Sequence, residues 1–175
     1  VNPDGVITEA IDMDYATVCR MQDDDDRVVE EPYLDANGYP VARYENFHGL
    51  SYEYDETSTV IAHLDVEGNP IIRSDGYSTI VRTQVDGRAS NDFYYDLNGQ
   101  QVQCSGGYYG LRRGYNAEGQ NISLAFLDKD GHAVCTSSGY AIMTYQRDMN
   151  GTVVGKQYFD TDGNPKALSK GQYGI

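Results

Sequence analysis

Phe93-Tyr94-Tyr95-Asp96-Leu97-Asn98-Gly99 is a short aromatic run closed by an Asp-x-x-Gly tetrad, and the same device recurs along the chain. The tetrads are Asp35 to Gly38, Asp65 to Gly68, Asp96 to Gly99, Asp128 to Gly131 and Asp160 to Gly163, at steps of 30, 31, 32 and 32 residues. Two residues before each Asp stands Tyr33, His63, Tyr94, Phe126 or Tyr158, and one before stands Leu34, Leu64, Tyr95, Leu127 or Phe159. Pro40, Pro70 and Pro165 follow two residues after the Gly in three copies. Register kept over this distance identifies a repeat, which is to be recognised before individual elements are assigned.

Further anchors repeat with the first. Asn46-Phe47, Gly76-Tyr77, Gly107-Tyr108, Gly139-Tyr140 and Gly171-Gln172 lie eight residues beyond the tetrad glycine. Tyr54-Asp55, Val85-Asp86, Tyr115-Asn116 and Arg147-Asp148 follow nearby. The N-terminal stretch reads as a worn copy, with Asn2 to Gly5 in the first position, Asp14-Tyr15 in the second and Asp23-Asp24-Asp25-Asp26 in the third. Residues 1–175 therefore read as one repeat domain of about 5.5 units, with boundaries near 33, 63, 94, 126 and 158. The chain opens at Val1 without Met and enters and leaves at a turn, which reads as a piece of a longer array.

The spacing predicts strands. Between anchors the spacing is short and no window of 12 or more residues shows a clean 3.6-residue apolar rhythm free of Gly, whereas 79–85, 59–61 and 152–154 are rich in β-branched residues. Aspartate opening each tetrad accepts hydrogen bonds from the turn backbone, and glycine closing it takes positive φ without a Cβ clash. Such a tetrad joins antiparallel strands. The proline beyond it cannot donate to a ladder, so the segment after the turn is expected to be short or at an edge. For the last full unit the expected parts are strand 140–147, turn 148–151, strand 152–159, turn 160–163 and a short segment 164–168. A lone hairpin is marginal in water, but stacked units support one another through recurring aromatic positions. The expected fold is all-β: an elongated stack, solenoid or open meander, of antiparallel hairpins of about 31 residues. A small β-propeller is the alternative, although a blade normally needs four strands and a longer unit.

Composition narrows the function. With 13 basic against 27 acidic residues the formal net charge is −14, which opposes duplex nucleic-acid binding and anionic membrane surfaces. No apolar run approaches the roughly 18 residues of a membrane-spanning helix, so no membrane insertion is expected.

The phrases Tyr158-Phe159-Asp160-Thr161-Asp162-Gly163-Asn164-Pro165 and 93–99 resemble tyrosine- and glycine-rich β-hairpin repeats of bacterial surface proteins, in the manner of choline- and glucan-binding or MORN-like repeats. The resemblance covers about residues 33–175. It implies a secreted or cell-surface protein that contacts protein or glycan, including the cell wall. The chain departs from the choline- and glucan-binding class in having no Trp among its 16 Tyr and 4 Phe.

Enzymatic, metal and cofactor chemistry finds little support. The tetrads at Asp128 and Asp160 faintly resemble calcium loops, but the twelfth positions are Gly139 and Gly171 where an EF-hand needs Glu. Asp23–Asp26 with Asp12 and Asp14 could gather weak calcium if turns brought them together. His132, Cys135 and Cys104, even with His48 and His63, make no recognisable zinc set. Cys104 and Cys135 are expected as buried or half-buried thiols, with a disulfide between them as the alternative. No nucleophile elbow is present, and Gly106-Gly107 and Ser137-Ser138-Gly139 read as turns. The expected role is a non-catalytic structural or protein-interaction segment without metal or cofactor. The alternative is a glycan-binding module using Tyr77, Tyr108, Tyr140, Phe47 and Tyr15.

Overall fold

The computed structural model describes residues 17–43 and 47–167. These residues form β1 (Thr17–Val18), β2 (Met21–Gln22), β3 (Val28–Leu34), β4 (Gly49–Tyr54), β5 (Ser58–Leu64), β6 (Thr79–Val85), β7 (Arg88–Tyr95), β8 (Gly110–Tyr115), β9 (Asn121–Leu127), β10 (Ile142–Arg147) and β11 (Val153–Phe159), and no helix among them. The protein is all-β. Its strands follow the chain in an open antiparallel meander, with β2 as a side branch on β3. This consecutive pairing in one meander differs from the separate four-stranded blades of the propeller alternative. No helix of the described residues is long and apolar enough to cross a membrane.

Two compact bodies divide the chain. The first holds the residues up to Val81 together with Tyr95–Gln100. In it β3, β4 and β5 pair in sequence, so that Leu50 stands opposite both Glu31 and His63. The second holds Arg82–Tyr94 and the residues from Gln101 onward. There β7 to β11 pair in sequence, with Leu111 opposite both Asp92 and Phe126, and Met143 opposite both Leu124 and Tyr158. Successive units thus repeat one register: Leu50, Leu111 and Met143 each pair with the residue two before one tetrad-preceding ring and with the next such ring itself. In each body the pair before one tetrad is buried, His63 and Leu64 in the first and Phe126 and Leu127 in the second. Tyr33, Ile61 and Tyr77 complete the apolar core of the first, and Tyr94, Cys104 and Ala141 that of the second.

One turn geometry serves all five tetrads. The Asp35 carboxylate accepts from the Asn37 and Tyr39 amides at 2.8 and 2.9 Å. The Gly38 amide donates to the Asp35 carbonyl, and the Asp35 amide to the Tyr39 carbonyl. Asp65, Asp96, Asp128 and Asp160 repeat these bonds with their own successors. The arrangement is a β-turn followed by one left-handed residue, and Gly163 has φ of 83°. Asp23 builds the same turn, binding the Asp25 and Arg27 amides, but Asp26 fills the glycine position at φ of 59°. Asp148 and Asn116 build it at the opposite hairpin ends.

After the tetrad the chain makes a single bridge rather than a third strand. Leu34 bridges Pro40, Leu64 bridges Pro70 and Phe159 bridges Pro165. The amide beyond the bridge donates back across it, Val41 to Tyr33 and Ile71 to His63. Leu127 bridges Ala133 in the same way, with Val134 donating back to Phe126, so the single bridge follows from the turn geometry and proline is merely compatible with it. In the last full unit the strands are Ile142–Arg147 and Val153–Phe159, slightly shorter than the sequence spacing suggests.

Candidate functional site

The Gly-Tyr anchors are turns of the same build without the opening carboxylate. In the first body Gly76 donates to the Arg73 carbonyl and Arg73 to the Tyr77 carbonyl; Gly107 with Cys104 and Gly139 with Thr136 do the same in the second. Each turn delivers its aromatic ring onto the residue that precedes a tetrad.

The outcome is an aromatic column in each body. Tyr33, Phe47, His63 and Tyr77 meet at centroid separations of 5.7, 5.5 and 5.8 Å, all edge to face. In the second body Tyr94, Tyr108, Phe126, Tyr140 and Tyr158 meet at 5.9, 4.8, 5.5 and 4.8 Å. Such pairs contribute about 0.5–1.5 kcal/mol each beyond their burial. His63 is a full member. Its Nδ1 lies 2.9 Å from the Ser78 carbonyl, which only accepts, so the proton sits on Nδ1 and Nε2 is left to face Arg73 at 3.4 Å.

Four of the five aromatic residues proposed from sequence as ligand contacts therefore stand in the columns. Tyr77 is buried, and Phe47, Tyr108 and Tyr140 are half-buried between ring neighbours. Burial raises the Tyr140 phenol pKa, helped by the nearby Tyr158. Tyr15 lies outside the described residues, as do Asp12 and Asp14 of the suggested acidic cluster. Within that cluster the Asp23 carboxylate is engaged by the Arg27 guanidinium and the turn amides.

The two columns differ at the residue opening each Gly-Tyr turn. In the first body these are Arg43 and Arg73. Arg43 lies over Tyr33 at 4.6 Å, and Arg73 over Phe47 at 5.5 Å and Tyr77 at 5.7 Å. In the second body the same position is Cys104 or Thr136, both buried. This accounts for the thiols. Cys104 occupies the column-facing position, whereas Cys135 precedes Thr136 by one residue and is exposed. Both are free. A one-residue offset between successive repeats points the two side chains to different environments, so the disulfide alternative and the expectation of a shielded Cys135 are both corrected.

A row of charged groups, not anticipated from sequence, runs beside each column. Glu31 accepts from the Tyr52 hydroxyl at 2.6 Å and the Arg20 guanidinium at 2.7 Å. Those bonds lower the Glu31 pKa, while burial and the bond to Glu31 raise that of Tyr52. Asp92, almost fully buried, takes both Nε and Nη2 of Arg82 at 2.8 and 2.9 Å and Nη2 of Arg113 at 2.8 Å. Burial alone would raise the Asp92 carboxyl, but the two guanidiniums outweigh it and hold its pKa below the ordinary value. Glu31 and Asp92 each stand two residues before a column ring, and Tyr52 and Arg113 each stand five after one. The repeat register was the signal that could have found them.

Each body also carries a cleft. In the first, Val60, Pro70, Val81, Tyr95 and Leu97 wall a space of about 420 Å³, with Asp96 at its side. In the second, Arg88, Ser90, Arg113 and Asn116 line a more polar space of about 300 Å³. Among the described residues no group of three or more His, Cys, Asp or Glu is placed to hold a metal ion. The sequence matches no protein-family model and no curated protein.

Proposed function

We propose that this chain is a non-catalytic repeat segment with a structural and protein-interaction role, part of a secreted or cell-surface protein of bacterial type. The observation carrying this reading is the use of the aromatic rings. Phe47, Tyr77, Tyr108 and Tyr140 are engaged with the rings that precede the tetrads, Tyr33, His63, Tyr94, Phe126 and Tyr158. A sugar-stacking platform needs an open ring face, and these rings serve as the mortar between hairpins. The turns, built alike and carrying variable residues at their middle positions, are the natural place for partner contacts.

The competing reading, a glycan-binding module, draws on the half-exposure of Tyr108 and Tyr140. Retention on peptidoglycan and on a glycan array, compared between wild type and Tyr108→Ala, separates the two. The scaffold reading expects no retention above background by either protein, and a lower melting temperature for the variant. Retention by wild type that Tyr108→Ala abolishes without loss of fold overturns it.

A further inference from the structure

The middle positions of the tetrads divide the two bodies. In the first they expose Val66 and Leu97, at 43% and 53% of full exposure. The second-body tetrads carry Lys129 and Thr161 at the same position. Ile72, two residues beyond Pro70, is also 51% exposed. Isolated exposed apolar residues need no explanation, but Leu97 and Pro70 are walls of the 420 Å³ cleft floored by Val60 and Val81. Leu97, with Tyr95 and Asp96, belongs to the first body and meets Pro70, two residues beyond the Asp65 to Gly68 tetrad, in this cleft.

The charged residue lining this cleft is an acid. Asp96 lines the cleft, and Asp65 and Glu67 belong to the turn leading to Pro70. No lysine or arginine is among the lining residues. The chain as a whole is at −14, so a second copy would bring its own acids against these.

We propose that this cleft docks an extended segment of a partner protein in which large apolar side chains alternate with lysine or arginine. The apolar side chains enter between Leu97, Pro70, Val60 and Val81, and the cations meet Asp96, Asp65 and Glu67. This rests on the protein-interaction reading above and names its surface and partner chemistry.

The test is fluorescence polarisation of the full chain with a short labelled peptide in which Leu, Ile and Phe alternate with Lys and Arg. The control peptide has Glu in place of each cation. Leu97→Lys is the informative variant, because Lys129 fills the same turn position in the second body and the fold accepts it there. Lys129→Leu is the reciprocal variant. The proposal expects saturable binding of the basic peptide, weakened about tenfold or more by Leu97→Lys and unchanged by Lys129→Leu. It also expects weakening as salt rises from about 50 to about 500 mM, and no binding of the acidic peptide. Equal binding of both peptides, insensitivity to Leu97→Lys, or self-association competing at the cleft would each overturn it. Failure here with no glycan retention leaves the scaffold reading standing without this surface, whereas glycan retention dependent on Tyr108 removes the parent reading itself.

Discussion

Asp26 and Gly163 occupy the same place in the same turn with different costs. Left-handed backbone is accessible to glycine and mildly strained for aspartate. Asp26→Gly should therefore stabilise the protein by about 0.5–1 kcal/mol, also relieving one charge in the Asp23–Asp26 run. A denaturant midpoint shifted downward would show that Asp26 is held by something other than turn geometry. Conversely, Gly163→Val places a β-branched residue at φ of 83° and should cost more than about 1 kcal/mol, visible as a lower midpoint in a circular-dichroism melt. The aspartates opening the tetrads were legible because their bonds are local: acceptor and donor lie two and four residues apart. Their chemistry needs no distant partner, and the sequence spacing is already the geometry.

Strands and hairpins depend on partners farther along the chain, and here the legibility falls. The β-branched runs and the Asp-Gly pair at 86–87 mark β6, β7 and their connection, and both turn residues have positive φ as a type I′ turn requires. The charged row does not announce itself. Glu31 meets Tyr52 and Asp92 meets Arg113 across 21 residues, and their pairing exists only once the strands are in register. Asp92→Ala leaves two guanidiniums without their shared carboxylate and should destabilise by about 3 kcal/mol in urea titration. Tyr52→Phe removes one hydrogen bond to Glu31 and should cost only about 1 kcal/mol. Close strand packing gives a separate check: a Cβ on Gly110 would run into the Asp92 carbonyl, so Gly110→Ala should cost about 2 kcal/mol, although alanine is otherwise a mild change.

For the molecule as a whole, the acidic excess sets the response to pH. Asp35, Asp65, Asp128 and Asp160 have lowered pKa values, chiefly through hydrogen bonds from turn amides, and Asp23 and Glu31 through side-chain bonds to cationic or phenolic partners. Asp92 is lowered as well, its two arginines outweighing burial. A carboxyl lowered in the folded state contributes stability that is present above its ordinary pKa and is lost as pH falls through the folded value. Melting temperature should therefore decline as pH drops below about 4, steeply because several units protonate in parallel. A melting temperature that stays constant or rises down to about pH 2 would mean that relief of acidic self-repulsion outweighs the turn bonds.

The repeat, the β class, the turn chemistry and the aromatic spacing could all be read along the chain, because each rests on contacts within a few residues or on periodicity itself. The direction of Cys135, the pairing around Asp92, the entry of His63 into a ring column and the apolar cleft beside Leu97 could not. They arise where side chains from different strands converge, and a one-residue change of register sends any of them to the opposite face.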